Sequence, residues 1–178
     1  MFQNFGIILQ RQISKGMATE HTNHVTGKKE PLYRSLVSPQ VMDALQERIT
    51  RVILVEKKYR DKDFSAQKLA SELGTNTRYI SAVINVRFRM NYASFVNKYR
   101  IEDAMTILAD KRYKSLTMED VADMVGFANR QSFYSAFRKV NKCTPRDYKI
   151  KAMEERMETE KRLAEKKKAS KKKTSTMQ

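Results

Sequence analysis

The apolar residues of this chain recur at steps of three and four, the rhythm of helices with one buried face. Val41, Leu45, Ile49, Val52 and Ile53 predict an amphipathic helix from Ser38-Pro39 through about Lys58, with Ser38 as N-cap and proline at the first helical position. A polar connection, Tyr59 to Asp63, follows. Phe64-Ser65 then opens a short helix capped by Ser65, with Leu69, Ala70 and Leu73 turned inward. Between Ala93 and Ala109, Phe95, Val96, Tyr99, Ile101, Ala104, Met105 and Leu108 occur without glycine or proline, which predicts a single rod about 27 Å long at 1.5 Å per residue. Lys111 to Ser115 ends it, and Thr117 with Asp120 forms a variant capping box for the next helix. Thr144-Pro145 starts a last helix through Tyr148 and on to Lys168. No useful strand-type alternation occurs, so the expected fold is all-α.

Two stretches of this pattern repeat. Leu69, Ala70, Leu73 and Gly74 fall on Val121, Ala122, Val125 and Gly126 at an offset of 52, whereas Asn76, Ile80, Val83 and Ile84 fall on Asn129, Phe133, Ala136 and Phe137 at 53. Each repeat therefore reads as helix, glycine turn and second helix, with one extra residue in the second turn. Gly74 and Gly126 suit a turn that needs positive φ. Ala70 and Ala122 are small where the two helices cross. The architecture expected is two tandem helix-turn-helix subdomains joined by the rod as a linker helix.

In the second helix of each pair, the core takes only one side. Ile80, Val83 and Ile84 leave Thr77, Arg78, Ser81, Ala82 and Asn85 outward, while Phe133, Ala136 and Phe137 leave Arg130, Gln131, Tyr134, Ser135 and Arg138. Such a surface can pair with base edges in the major groove of DNA. Asn76 and Asn129 stand at the N-cap positions, where free backbone N–H groups favour phosphate. Charge agrees: 36 Lys and Arg against 20 Asp and Glu give a formal net charge of +16 over 178 residues, a field that concentrates polyanions.

Other classes find little support. Phe5 to Leu9 is far short of the roughly 20 apolar residues of a spanning helix, and no cleavable signal follows it, so a cytoplasmic protein is expected. Cys143 is the only cysteine, and no histidine lies in the expected folded region to activate it, so neither a disulfide nor enzymatic catalysis is expected. His21 and His24 sit in a leader without further ligands, and no metal or cofactor is expected. The chain is expected to divide into a poorly ordered leader (1–37, with Met17 an alternative start), a leading amphipathic helix (38–60), the tandem unit (61–150), and a charged helix with a basic tail (151–178). The tail lysines, 166 to 168 and 171 to 173, add nonspecific DNA affinity or form a solvated end. Two alternatives stay open: an architectural or RNA-associated protein acting by charge alone, and a protein recruited through the apolar side of residues 41–55, which is also the expected surface of a dimer.

The residues Val121-Ala122 through Gly126-Phe127, Gln131-Ser132-Phe133, Phe137-Arg138-Lys139 and Thr144-Pro145-x-x-Tyr148 resemble the DNA-binding domain of AraC/XylS transcription regulators. Tyr79-Ile80-Ser81 and Phe95-x-x-x-Tyr99-Arg100-Ile101-x-x-Ala104 look most like versions from Bacteroidetes-type bacteria. The resemblance spans about residues 60 to 150. It implies two recognition helices in successive major-groove segments and sequence-specific control of transcription, usually activation, with RNA polymerase a partner. By position it implies base contacts from Arg78, Ser81, Ala82, Arg130, Gln131 and Ser135. Asn76, Arg87, Arg89, Asn129, Arg138 and Lys139 are assigned to phosphate. Arg89 and Lys142 replace the glycine common after each recognition helix, so either a left-handed backbone or another cap is expected there. Residues 1–58 are too few for a separate sensor domain, and binding as a stand-alone monomer is expected.

Overall fold

The computed structural model describes residues 37–175, with side chains through residue 166. The leader with Met17, His21 and His24 lies outside the described residues, as do the side chains of the tail lysines from 167 onward. Seven α-helices and no strand occur among the described residues: α1 (Pro39–Leu54), α2 (Ala66–Glu72), α3 (Thr77–Phe88), α4 (Tyr92–Ala109), α5 (Met118–Met124), α6 (Arg130–Asn141) and α7 (Pro145–Ser175). Short 3-10 turns at Lys58–Arg60 and Lys111–Tyr113 precede the two helix pairs.

Local chemistry sets where the helices begin. Ser38, Ser65, Asn76, Asn91, Thr117 and Asn129 each accept a backbone N–H three residues on, satisfying a donor that no helical carbonyl can reach. Thr117 and Asp120 form the full reciprocal box. Thr144 does the same with Asp147 at the start of α7, the Thr hydroxyl donating to Asp147 Oδ2 at 2.6 Å. Both carboxyls are held below their usual range, chiefly by the threonine hydroxyl and then its backbone N–H. Gly74 and Gly126 take φ of 59° and 91°. Of the two outcomes open after α3 and α6, Arg89 and Lys142 take the left-handed backbone, at 56° and 60°, and the Lys142 ammonium also donates to Lys139 O.

Packing produces two cores divided along α4. The first gathers α1, α2, α3 and the start of α4 around Ile49, Ile53, Leu69, Ile80, Val83, Ile84 and Phe95. The second gathers the rest of α4 with α5, α6 and the start of α7 around Ile101, Ala104, Val121, Val125, Phe133 and Phe137. The linker helix is thus not a bare spacer: it is the last helix of one unit and the first of the next.

Three expectations change here. The leading helix is part of the first unit. It ends at Leu54, buries Met42 rather than Val41, and places Leu45, Ile49, Val52 and Ile53 in the first core. Val37, counted with the leader, is buried there too. The apolar side of this helix is therefore covered by its own subdomain, leaving only Val41 and Val55 as exposed large apolar side chains on it, so the apolar stripe of 41–55 is not the free dimer or docking surface expected of it. The Tyr59–Asp63 connection is not simply polar, because Tyr59 is buried; burial first, with Asp103 adding, pushes its phenol up to about 12.

Candidate nucleic-acid interface

The start of α3 is built by Asn76, whose Oδ1 accepts from Tyr79 N at 2.9 Å, so its cap is complete without using the earliest N–H groups of the helix. Thr77 and Arg78 follow on the surface, both exposed. Arg78 makes no ion pair among the described residues, so its guanidinium is available to a ligand. Ser81 is half-buried, and its carbonyl accepts from Asn85 Nδ2 at 2.9 Å, which folds Asn85 back onto its own helix.

Ala82 departs from expectation. It is fully enclosed, packed into the first core with Ile80, Val83 and Ile84, and so has no surface to offer a base. Arg87 also differs. It pairs with Asp43 of α1 and so is not a free cation at the end of α3. That pair is partly exposed and worth at most about 1 kcal/mol, so a phosphate could displace it. Arg89 is exposed in its left-handed cap.

In α6 the expected residues stand together. Phe133 and Phe137 are fully buried, their rings 5.7 Å apart and edge to face, and Phe137 meets Tyr148 of α7 in the same way at 5.6 Å. Two large rings anchor the helix, and Arg130, Gln131, Ser135, Arg138 and Lys139 all remain exposed. Asn129 Oδ1 accepts from Ser132 N at 2.8 Å, repeating the cap of α3. Arg130 lies 5.0 Å from the centre of the Tyr134 ring and donates to its hydroxyl at 3.4 Å, which restricts a long side chain before any partner arrives.

At an offset of 53, Thr77 corresponds to Arg130, Arg78 to Gln131 and Ala82 to Ser135. The two helices therefore present different chemistry from equivalent places. A helix-turn-helix domain model matches residues 69–150. The domain matched over residues 69–150 is of the AraC helix-turn-helix type.

Solved structures with the AraC-type fold agree. The C-terminal domain of AraT, a response regulator of Geobacillus stearothermophilus, is 22% identical with a TM-score of 0.52, covering 64% of this chain and 86% of that one. The C-terminal domain of the response regulator yesN of Fusobacterium nucleatum is 24% identical with a TM-score of 0.50, covering 62% and 98%. A Chromobacterium violaceum transcriptional regulator with an AraC-type DNA-binding domain is 16% identical with a TM-score of 0.52, covering 62% and 96%. Among curated proteins, the uncharacterized HTH-type transcriptional regulator YtdP of Bacillus subtilis is 24% identical over 89 residues, which is 50% of this chain and 11% of that protein. The chain thus spans about a tenth of the length of that relative.

Sequence reasoning missed Arg100. It is buried on α4, with its Nε donating to Tyr59 O at 2.7 Å and its Nη2 to Asp61 O at 2.9 Å. A signal was present: Val96, Arg100 and Ala104 share one face at helical spacing, which places a cation in an apolar row. No helix among the described residues is long and apolar enough to cross a membrane.

Proposed function

We propose that this chain is a sequence-specific DNA-binding transcription regulator of the AraC type that reads double-stranded DNA with α3 and α6. The observation that supports this reading is the pair of capped helix starts with uncommitted side chains on an AraC-type domain. Arg78 and Ser81 read bases from α3, and Arg130, Gln131 and Ser135 from α6. Asn76, Arg89, Asn129, Arg138 and Lys139 hold phosphates, and Arg87 joins them on releasing Asp43. The two helices enter successive major-groove segments about 34 Å apart on one face of the duplex. The chain acts in the cytoplasm, binds an asymmetric site as a monomer and activates transcription through contact with RNA polymerase.

Selection of bound sites from random DNA is the direct test. A regulator favours its best site over random DNA by roughly a thousandfold or more at fixed salt, whereas binding by charge alone gives no recovered motif. Arg78→Ala and Arg130→Ala should each relax the preference at different base pairs, by about 1–3 kcal/mol apiece. Equal weakening on all sequences would remove the base-reading assignment.

A further inference from the structure

Each unit has its own core and α4 enters both, so the pose of one unit against the other depends on the seam where the cores divide. That seam lies at Arg100. We propose that Arg100 is a positioning residue for DNA recognition, which fixes the half-site spacing and helical phase the protein accepts by tying the first unit's connecting turn to α4 beside the second unit's turn. The DNA half of this inference rests on the function proposed above.

Four contacts converge there. The Arg100 guanidinium donates to two carbonyls of the connecting turn, Tyr59 O and Asp61 O. Its carbon lies 5.6 Å from the centre of the Phe127 ring, in the turn of the second unit. Gly126, beside it, approaches the same connecting turn so closely that a Cβ would stand 2.5 Å from Tyr59 O and 2.6 Å from Arg60 O. At the rim, Lys62 pairs with Asp123 of α5 at 2.7 Å, and Arg60 with Asp103 of α4 at 2.6 Å. An apolar side chain at 100 could fill the space and still allow the turns to slide. A planar fork bonded to two fixed carbonyls and lying over a ring admits one geometry. Lysine keeps the charge without the fork.

The consequence for DNA is geometric. With about 10.5 base pairs per turn, one inserted pair rotates the second half-site by roughly 34° and moves it about 3.4 Å, which takes the second helix off its bases if the units are locked. The test measures binding of the full chain to its selected site and to derivatives with one or two base pairs added or removed between half-sites, with melting curves for each variant. The wild type should lose about a hundredfold or more on a shifted spacer, and Arg100→Met less than about tenfold, with Arg100→Lys between them. In parallel, spin labels at Gln67→Cys on α2 and Glu119→Cys on α5, in a Cys143→Ser background, report the distance between units without DNA. It should be narrow with Arg100 and broadened in Arg100→Met.

Unchanged spacer discrimination in folded Arg100→Met, or a wild type that selects sequence yet ignores spacing, overturns the inference. Should Arg100→Met not fold, Arg100→Lys decides it by the same two readouts. If the wild type selects no sequence at all, the proposed function falls instead, and the label distances alone decide whether Arg100 sets the pose.

Discussion

The two helix-turn-helix units share a plan and spend their helices differently. In the first, α3 buries four residues, Ile80, Ala82, Val83 and Ile84. In the second, α6 buries two, Phe133 and Phe137. Because two phenyl rings fill the space that four smaller side chains fill in the first unit, α6 needs fewer inward positions and leaves a wider face outside. Ala82 and Ser135 occupy equivalent positions, yet one is enclosed and the other exposed. A repeat inherited in the pattern of core residues therefore does not give equal reading surfaces: size in the core decides how much helix is left for a ligand.

The turns differ as sharply, and they give the largest test of the comparison. A Cβ on Gly74 would meet nothing within 4 Å, whereas on Gly126 it would strike the backbone of Tyr59 and Arg60. Gly74→Ala should cost only the left-handed backbone, about 1 kcal/mol. Gly126→Val adds a collision with main chain that cannot move cheaply, and should cost about 3 kcal/mol or more. Urea unfolding of the two variants checks this, and similar losses would mean that the turns are equivalent after all.

The caps sharpen the comparison at a smaller scale. α2 begins on the Ser65 hydroxyl, which accepts from Lys68 N, while α5 begins on the two-way exchange between Thr117 and Asp120. Ser65→Ala should destabilise by about 1 kcal/mol and Thr117→Ala by more, up to about 2 kcal/mol. Thermal melts of the pair are the measurement. If Thr117→Ala costs no more than Ser65→Ala, the reciprocal box adds nothing here.

The smallest effect expected is in acid. The folded-state pKa of Asp120 and Asp147 lies below the ordinary value of 3.8, through the threonine hydroxyl and then the threonine N–H. Their contribution is therefore complete above that ordinary value and is lost as pH falls through the folded one. Asp61 adds a limb of the same sign in the first unit, chiefly through Asp63 N–H and then Lys68. Asp120→Asn and Asp147→Asn should each lower stability near neutrality and flatten its fall below about pH 4, as read by denaturant midpoints across pH. A fall as steep as in the wild type would assign the acid sensitivity elsewhere.

Much of the fold was legible along the chain. The caps at Ser38, Ser65, Asn76, Thr117 and Asn129, the glycine turns and the one-residue difference between turns were read correctly, as was the exposure of Arg78, Arg130, Gln131 and Ser135, whereas the Asn91 cap of α4 was missed and the backbone at Arg89 and Lys142 was left open between two outcomes. What the sequence left unread clusters where residues meet partners far along the chain. Arg87 is paired by Asp43, and Arg100 by carbonyls about forty positions away. Val41 and Met42 exchanged roles because adjacent apolar residues both fit a helical stripe, and only the packing of α1 on the first unit selects between them.

The chain's own order of residues determined which segments are helical and where most of them start, since caps, glycines and apolar spacing act over three or four positions and need no distant partner. Only tertiary packing decided which outward side chains stay available and how the units are joined. Those outcomes depend on what approaches from elsewhere in the chain: cores that enclose the Ala82 methyl, a carboxylate reaching Arg87, and main-chain carbonyls presented to Arg100.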